Sequence, residues 1–181
     1  MTADVRLRRM APLAQVTMRA DPTDGALMAR LGAALATALT TSPNTVAQAA
    51  EGQVQVLWLG PDEWLVIGPE GAGPEVAPAL AAAIRVAADG AFVTAVDVSS
   101  NRVGLEIAGA DARALLAFGC ALDLHPRGFG PGSCAQTMVA RAGVILWALG
   151  AEPTPTFRLL VRPSFAAYLE TWLHDAEVGL G

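Results

Sequence analysis

Between Gly119 and Arg141 the chain reads GCALDLHPRGFGPGSCAQTMVAR. Cys120, Asp123, His125 and Cys134 are all metal-ligating residue types, and zinc asks for thiolate and imidazole groups converging on a tetrahedron. Their spacing, C-x2-D-x-H-x8-C, fits no closed zinc template, and the chain has one other histidine, His174. The same residues could serve thiol chemistry, with His125 as base for Cys120 or Cys134, but no third group to orient the base can be named. Free cysteine is among the most buried residue types, so both thiols read better as small core side chains. Arg102, Arg127 and Arg141 could form a carboxylate site, since a guanidinium fork suits that geometry. The simpler reading pairs them with Asp97, Asp123 or Glu106, or with acids across an interface. Arg127 differs from the other two because it sits in a glycine-rich loop, HPRGFGPG, where binding residues concentrate. Trp58, Trp64, Trp147 and Trp172 each lie in an apolar stripe and are expected in the core. Trp64, beside a turn, is also a candidate for a partly exposed interface anchor.

These residues depend on elements that the pattern outlines. Residues 1–20 read as an N-terminal arm with at most a short extended piece, and 21–181 as one domain. Asp21 to Asp24 starts a helix that carries Leu27, Leu31, Leu35 and Leu39 on one stripe and ends by Thr40 to Pro43. Residues 43–52, small and polar, read as a loop. Residues 53–59 and 64–68 form a hairpin across a four-residue loop, Gly60 to Glu63. Pro74 opens an alanine-rich helix that closes near Asp89-Gly90. Strands follow at 92–98 and 103–108, then a short helix, ARALLAF, and an irregular loop over 120–132. Strands near 134–141, 143–149 and 156–162 precede a last helix from Pro163 to about Glu177. Hairpins interleaved with helices, without regular βαβα alternation, predict an α+β fold built mainly on antiparallel sheet.

The whole chain sets further bounds. Its 181 residues suggest one domain or two small intertwined lobes. Hydrophobic residues make up 53% and charged residues 16%, below the usual quarter or so, which leaves little material for a fully solvated surface. A large partner interface accounts for that composition; a bias toward alanine and glycine accounts for it equally. The net charge is −5 and every cation is arginine. Nucleic-acid binding, which needs concentrated positive charge, is not expected, and lysine Schiff-base and P-loop chemistry are excluded. No apolar run is long enough to span a membrane, and the basic N-terminal stretch lacks the apolar region of a secretory signal. Two cysteines without CxxC spacing fit a reduced, cytoplasmic protein. The chain contains no GxGxxG, GxSxG or HExxH pattern.

Four segments, in order, resemble the gamma subunit of heterotetrameric sarcosine oxidase: LGPDEWLVIG at 59–68, AVDVSSNRVGLEIAGADARALLAFGCALDLHPRGF at 95–129, GSCAQTMVARAGVILWALG at 132–150, and FRLLVRPSFAAYLETWL at 157–173. The combination of GCALDLHPR, CAQT and RPSFAAYL is the specific part. The resemblance implies a fold similar to the folate-binding domain of aminomethyltransferases. It implies a complex of alpha, beta, gamma and delta subunits that oxidatively demethylates sarcosine to glycine and passes the one-carbon unit to tetrahydrofolate. FAD, FMN, NAD, zinc and tetrahydrofolate are then expected in the other subunits, with no catalytic, cofactor or metal residues in this chain. The expected role is a non-catalytic accessory subunit contacting chiefly alpha, with Trp64, His125, Arg127 and Phe129 as candidate contacts. The isolated chain is expected to self-associate through the surface meant for alpha. The alternative is a degenerate folate-binding module with weak pteridine or folate affinity. The residues that grip folate in that family are not evident here.

Overall fold

A computed structural model of the chain describes residues 3–49 and 53–181. The chain divides into two compact units, one formed by Ala11–Ser100 and the other by the segment ending at Met10 together with Asn101–Gly181. We call them the central and the flanking unit, after their places in the sequence. Chain order is β1 (Arg6–Arg9), β2 (Leu13–Arg19), α1 (Gly25–Ala34), β3 (Val46–Gln48), β4 (Gln55–Gly60), β5 (Glu63–Glu70), α2 (Gly73–Ala88) and β6 (Thr94–Asp97). A 3-10 turn at Ser99–Asn101 follows, then β7 (Val103–Ala108), α3 (Ala112–Ala117), β8 (Cys134–Val139), β9 (Ala142–Gly150), β10 (Thr156–Val161) and α4 (Pro163–Val178). All strand pairings are antiparallel among the described residues, so the expected α+β class holds.

The central unit carries a five-stranded sheet in the order β3-β4-β5-β2-β6. One face offers Val16, Met18, Val56, Trp64 and Val66 to Leu27 and Leu31 of α1 and to Ala77, Ala81 and Ile84 of α2. Asp24 caps α1, its carboxylate accepting from the Leu27 amide at 2.9 Å, which satisfies one of the otherwise orphaned first-turn donors. The sequence predicts this helix as far as Thr40, but it stops at Ala34. Ala36 takes φ 53°, and the Thr37 amide turns back to donate to the Gly32 carbonyl at 3.0 Å. A Cβ at Gly32 would stand 2.8 Å from the Thr37 oxygen, so only glycine lets the chain fold back this closely. Leu39 still reaches the core, from the segment after the helix.

Two further differences concern backbone pairing. The β4–β5 turn is tighter than expected: Gly60 faces Glu63 in register, which leaves Pro61 and Asp62 as the loop. Arg19 holds that turn through Glu63 at 2.8 Å and Asp62 at 3.4 Å. Val46–Gln48, read as loop, pairs with β4 instead; the end of that loop, residues 50–52, lies outside the described residues. The stretch read as an arm carries β1 and β2, each hydrogen-bonded into a sheet, and its first two residues are likewise outside the described range.

The flanking unit carries the second sheet, in the order β1-β7-β10-β9-β8. Strand alternation splits its side chains between two faces. Leu105, Ile107, Val144, Leu146, Phe157 and Leu159 pack with Leu115 and Leu116 of α3 and Leu169 and Leu173 of α4. The opposite face carries a row of registered side chains, several of them polar, across all five strands. Arg8 and Arg158 both register on Glu106, Arg158 also on Trp147, and Trp147 on Cys134. Glu106 accepts from Arg8 Nε at 2.8 Å and Arg158 Nε at 2.9 Å, and the Arg158 guanidinium lies 5.9 Å from the Trp147 ring centroid.

Candidate docking loop between α3 and β8

The segment joining α3 to β8 is held at both ends before it rises to a tip. At the first end, Gly119 passes beneath α4: a Cβ there would stand 2.5 Å from the Trp172 ring and 2.9 Å from the Ala140 amide nitrogen. The Cys120 amide closes the helix on the Leu116 carbonyl at 2.8 Å, and the Ala140 amide donates to the Gly119 carbonyl at 2.9 Å. At the second end, the Gly132 amide donates to the Ala148 carbonyl and the Ala148 amide to the Ser133 carbonyl, each at 3.0 Å. The sequence supplies the turns between. The Asp123 carboxylate accepts from the His125 amide at 2.9 Å, the local bond that makes Asp a turn residue. The His125 carbonyl accepts from the Gly128 and Phe129 amides, both at 2.8 Å. His125 Nδ1 accepts from the Arg127 amide at 3.2 Å.

Leu124 and Phe129, both 6% exposed, point into the flanking unit's core. Between them His125, Pro126, Arg127 and Gly128 are exposed. Arg113 fastens the underside. Its Nη1 donates to the carbonyls of Leu124 and Phe129, its Nε meets Glu152 at 3.1 Å, and its guanidinium lies 4.9 Å from the Phe157 ring centroid. Sequence reasoning passed over Arg113; the available signal was an arginine inside an otherwise apolar short helix, ARALLA.

The candidate ligands do not converge. Cys120 packs with Leu124 and Phe129 on the helix-covered side of the sheet. Cys134 is buried on the opposite face, in register with Trp147. Neither is in a disulfide, and His125 stands at the exposed tip. No group of three metal-ligating side chains forms among the described residues. Two of the acids considered as partners carry other bonds that the structure describes. Glu106 takes Arg8 and Arg158, and Asp97 accepts from the Ser99 amide and hydroxyl at 2.9 and 2.6 Å. Those two bonds from Ser99, hydroxyl first, hold the Asp97 carboxyl below its ordinary value.

Two of the four candidate contacts are corrected. Trp64 is fully buried in the central unit, its Nε1 donating to the Thr40 carbonyl at 2.7 Å. Phe129 is a core residue whose neighbours, not itself, reach the surface. A side chain sealed inside its own unit has no area left to give a partner. His125 and Arg127 remain exposed.

Comparison with known proteins decides the family. The model of the sarcosine oxidase, gamma subunit family matches residues 19–179. The chain belongs to the sarcosine oxidase gamma subunit family. It is 41% identical over 172 residues to a sarcosine oxidase subunit gamma from Arthrobacter sp., covering 95% of this chain and 79% of that one. Identity to the subunit gamma of Corynebacterium sp. (strain P-1) is 40% with the same coverage. The fold superposes on a chain of the heterotetrameric sarcosine oxidase from Corynebacterium sp. U-96, in complex with pyrrole 2-carboxylate, with a TM-score of 0.85. That match is 34% identical and covers 99% of this chain and 86% of that one. The glycine cleavage system aminomethyltransferase T from Bartonella henselae matches with a TM-score of 0.66 at 15% identity, over 94% of this chain and 45% of that one. It shows that the gamma-family fold is shared with aminomethyltransferases. No helix among the described residues is long and apolar enough to cross a membrane.

Proposed function

We propose that this chain is a non-catalytic accessory subunit of a cytoplasmic heterotetrameric sarcosine oxidase. It packs chiefly against the alpha subunit, beside beta and delta, and stabilises the assembly. In this reading the complex demethylates sarcosine to glycine and hands the one-carbon unit to tetrahydrofolate, with FAD, FMN, NAD and zinc held by the other subunits. The observation that carries the proposal is the division of the one segment rich in reactive residue types. Its thiols are sealed on opposite faces of a sheet, and what it presents to solvent is a braced tip, His125 to Gly128. Exposed apolar side chains support a partner interface: Phe92 is 87% exposed, and Val86, Phe118 and Val178 are also largely exposed.

Co-expression of alpha, beta and delta with and without this chain tests the role, with assembly followed by size exclusion and turnover by sarcosine-dependent peroxide formation. The expected result is a complex that loses integrity without the chain, while the chain alone neither turns over sarcosine nor retains flavin. Sarcosine oxidation by the isolated chain, or an equally stable complex without it, would overturn the proposal. Calorimetric titration of the chain with tetrahydrofolate gauges the degenerate folate-binding alternative, which shares the fold but has no gripping residues to its name.

A further inference from the structure

The outer side of α4 joins aromatic rings to an acid. The inner stripe of the helix, Ala166, Leu169 and Leu173, packs into the flanking unit's core. Tyr168, Trp172 and Asp175 follow one another along the next stripe, at the spacing that makes helical side chains neighbours. With Ala167 and Thr171 they line an open hollow of about 380 Å³. Phe165 continues the stripe, its ring edge-on to that of Tyr168 with centroids 6.5 Å apart. Tyr168 and Asp175 are exposed and Trp172 is half-buried. Trp172 is set in place by backbone: a Cβ on Gly119 would stand 2.5 Å from its ring.

The charge on this side is unbalanced. The helix holds Glu170, Asp175 and Glu177 and no Arg or Lys. Glu170 lies 3.7 Å from Arg9, and Glu177 3.7 Å from His174. Asp175 has no hydrogen bond or ion pair among the described residues. It stands in the last turn, which has no basic residue. The carbonyl end of a helix is the negative end of its dipole and favours a cation, so an acid there works against the helix that carries it. A cation is therefore what this surface lacks, and aromatic rings accept one. Of the protein cations, guanidinium both stacks on rings and forks onto a carboxylate.

We infer that the outer side of α4 docks a segment of a neighbouring subunit that presents an arginine, its guanidinium seated against Tyr168 and Trp172 and paired with Asp175. The inference rests on the accessory-subunit reading, and it names a surface separate in sequence from the loop tip. Retention in a complex with co-expressed alpha, beta and delta is followed by size exclusion for the parent and for α4 variants, and each chain alone is unfolded in urea. Asp175→Arg should lower retention by about tenfold or more. The same change should leave the chain at least as stable as the parent, since it sets a cation at the negative end of the helix. A merely structural role for Asp175 would lower both readouts together. Asp175→Asn, which removes the charge at constant size, should fall between and make retention less sensitive to salt; it decides the matter if the arginine variant misfolds. Tyr168→Leu keeps apolar area and removes the ring, and should lower retention several-fold. A parent chain that does not join the other subunits overturns the accessory reading and this inference together. A parent that assembles, with either Asp175 variant or Tyr168→Leu assembling equally, overturns this inference alone. Self-association of the isolated chain that Asp175→Arg abolishes, with the complex unchanged, would assign the surface to a second copy and overturn it as well.

Discussion

Replacing Arg113 with methionine should release the loop that carries the candidate docking tip. The guanidinium's worth can be worked from its partners. Its Nη1 donates to the Leu124 and Phe129 carbonyls, the latter at 3.3 Å, from a side chain only 15% exposed. A hydrogen bond from a charged donor contributes about 1.5–3 kcal/mol, the longer one toward the lower figure. The stack on Phe157 adds about 0.5–1 kcal/mol. The bridge to Glu152, which is 54% exposed, adds little. Against this, Nη2 is buried without a partner, a desolvation cost that methionine removes. The net loss is about 3 kcal/mol for the flanking unit, a fall in Tm of roughly 6–12 °C. Urea unfolding measures the loss, and amide exchange localises it. The Gly128 and Phe129 amides, both donating to the His125 carbonyl, should exchange faster. Arg113→Lys should recover less than half, because an ammonium cannot span two carbonyls and a ring together. A methionine variant within about 0.5 kcal/mol of the parent, with both amides still protected, would refute the bracing role.

Glu106 gives a pH test. Burial pushes its carboxyl up, but the hydrogen bonds and positive charges of Arg8 and Arg158 outweigh that and leave it below the ordinary value. A lowered folded value means that the unfolded chain binds the extra proton first. Glu106 therefore stabilises fully above the usual carboxylate range, and that stability drains away as pH falls through the folded value. Glu106→Gln should be less stable than the parent at neutral pH, and denaturation curves of the two should converge in acid; a constant gap would contradict the assignment. Gly119→Ala forces a methyl into the Trp172 ring, and overpacking of this kind costs about 1–3 kcal/mol, visible in the tryptophan near-ultraviolet dichroism. Cys120 and Cys134 should react with a thiol reagent only at the rate of opening, and the Cys120→Ser/Cys134→Ser pair should leave turnover per assembled complex intact. Fast labelling of the native chain, or lost turnover in an assembled variant complex, would return the thiols to consideration.

Legibility tracked how locally each feature is encoded. The Pro163 helix start, the Asp89-Gly90 stop and the 103–108 strand all have cues within a few residues, and α4, α2 and β7 begin or end accordingly. β1, β2 and β3 were missed for the converse reason. RLRR and VAQ have too few side chains to show a period, and β2, LAQVTMR, interrupts its apolar pattern with Gln15, whose amide is buried on Ser99. What makes these segments strands is a partner far along the chain: Glu106 for Arg8, Trp64 for Met18, Leu57 for Val46. The early end of α1 was hidden similarly, since its leucine stripe continues through Leu39 while the backbone has already turned at Ala36.

The loop from Asp123 to Pro131 shows why chemistry-bearing residues are an unsafe guide by themselves. Asp, His, Gly and Pro are also what a tight turn requires, and here Asp123 and His125 spend their polar atoms on backbone amides two residues on. The functional distinction lies in direction: Leu124 and Phe129 point inward, and Arg127 between them points out. That division makes a paired prediction. Phe129→Ala should cost about 3–5 kcal/mol of stability, as emptying a buried aromatic site does. Arg127→Glu, on an exposed side chain, should stay within about 0.5 kcal/mol of the parent, yet reverse the charge at the tip and lower the chain's retention in the heterotetramer several-fold. Stability and retention are measured separately, by urea unfolding of the chain and by size exclusion of the complex. An Arg127→Glu chain that unfolds like the parent and assembles like it would remove the tip from the interface.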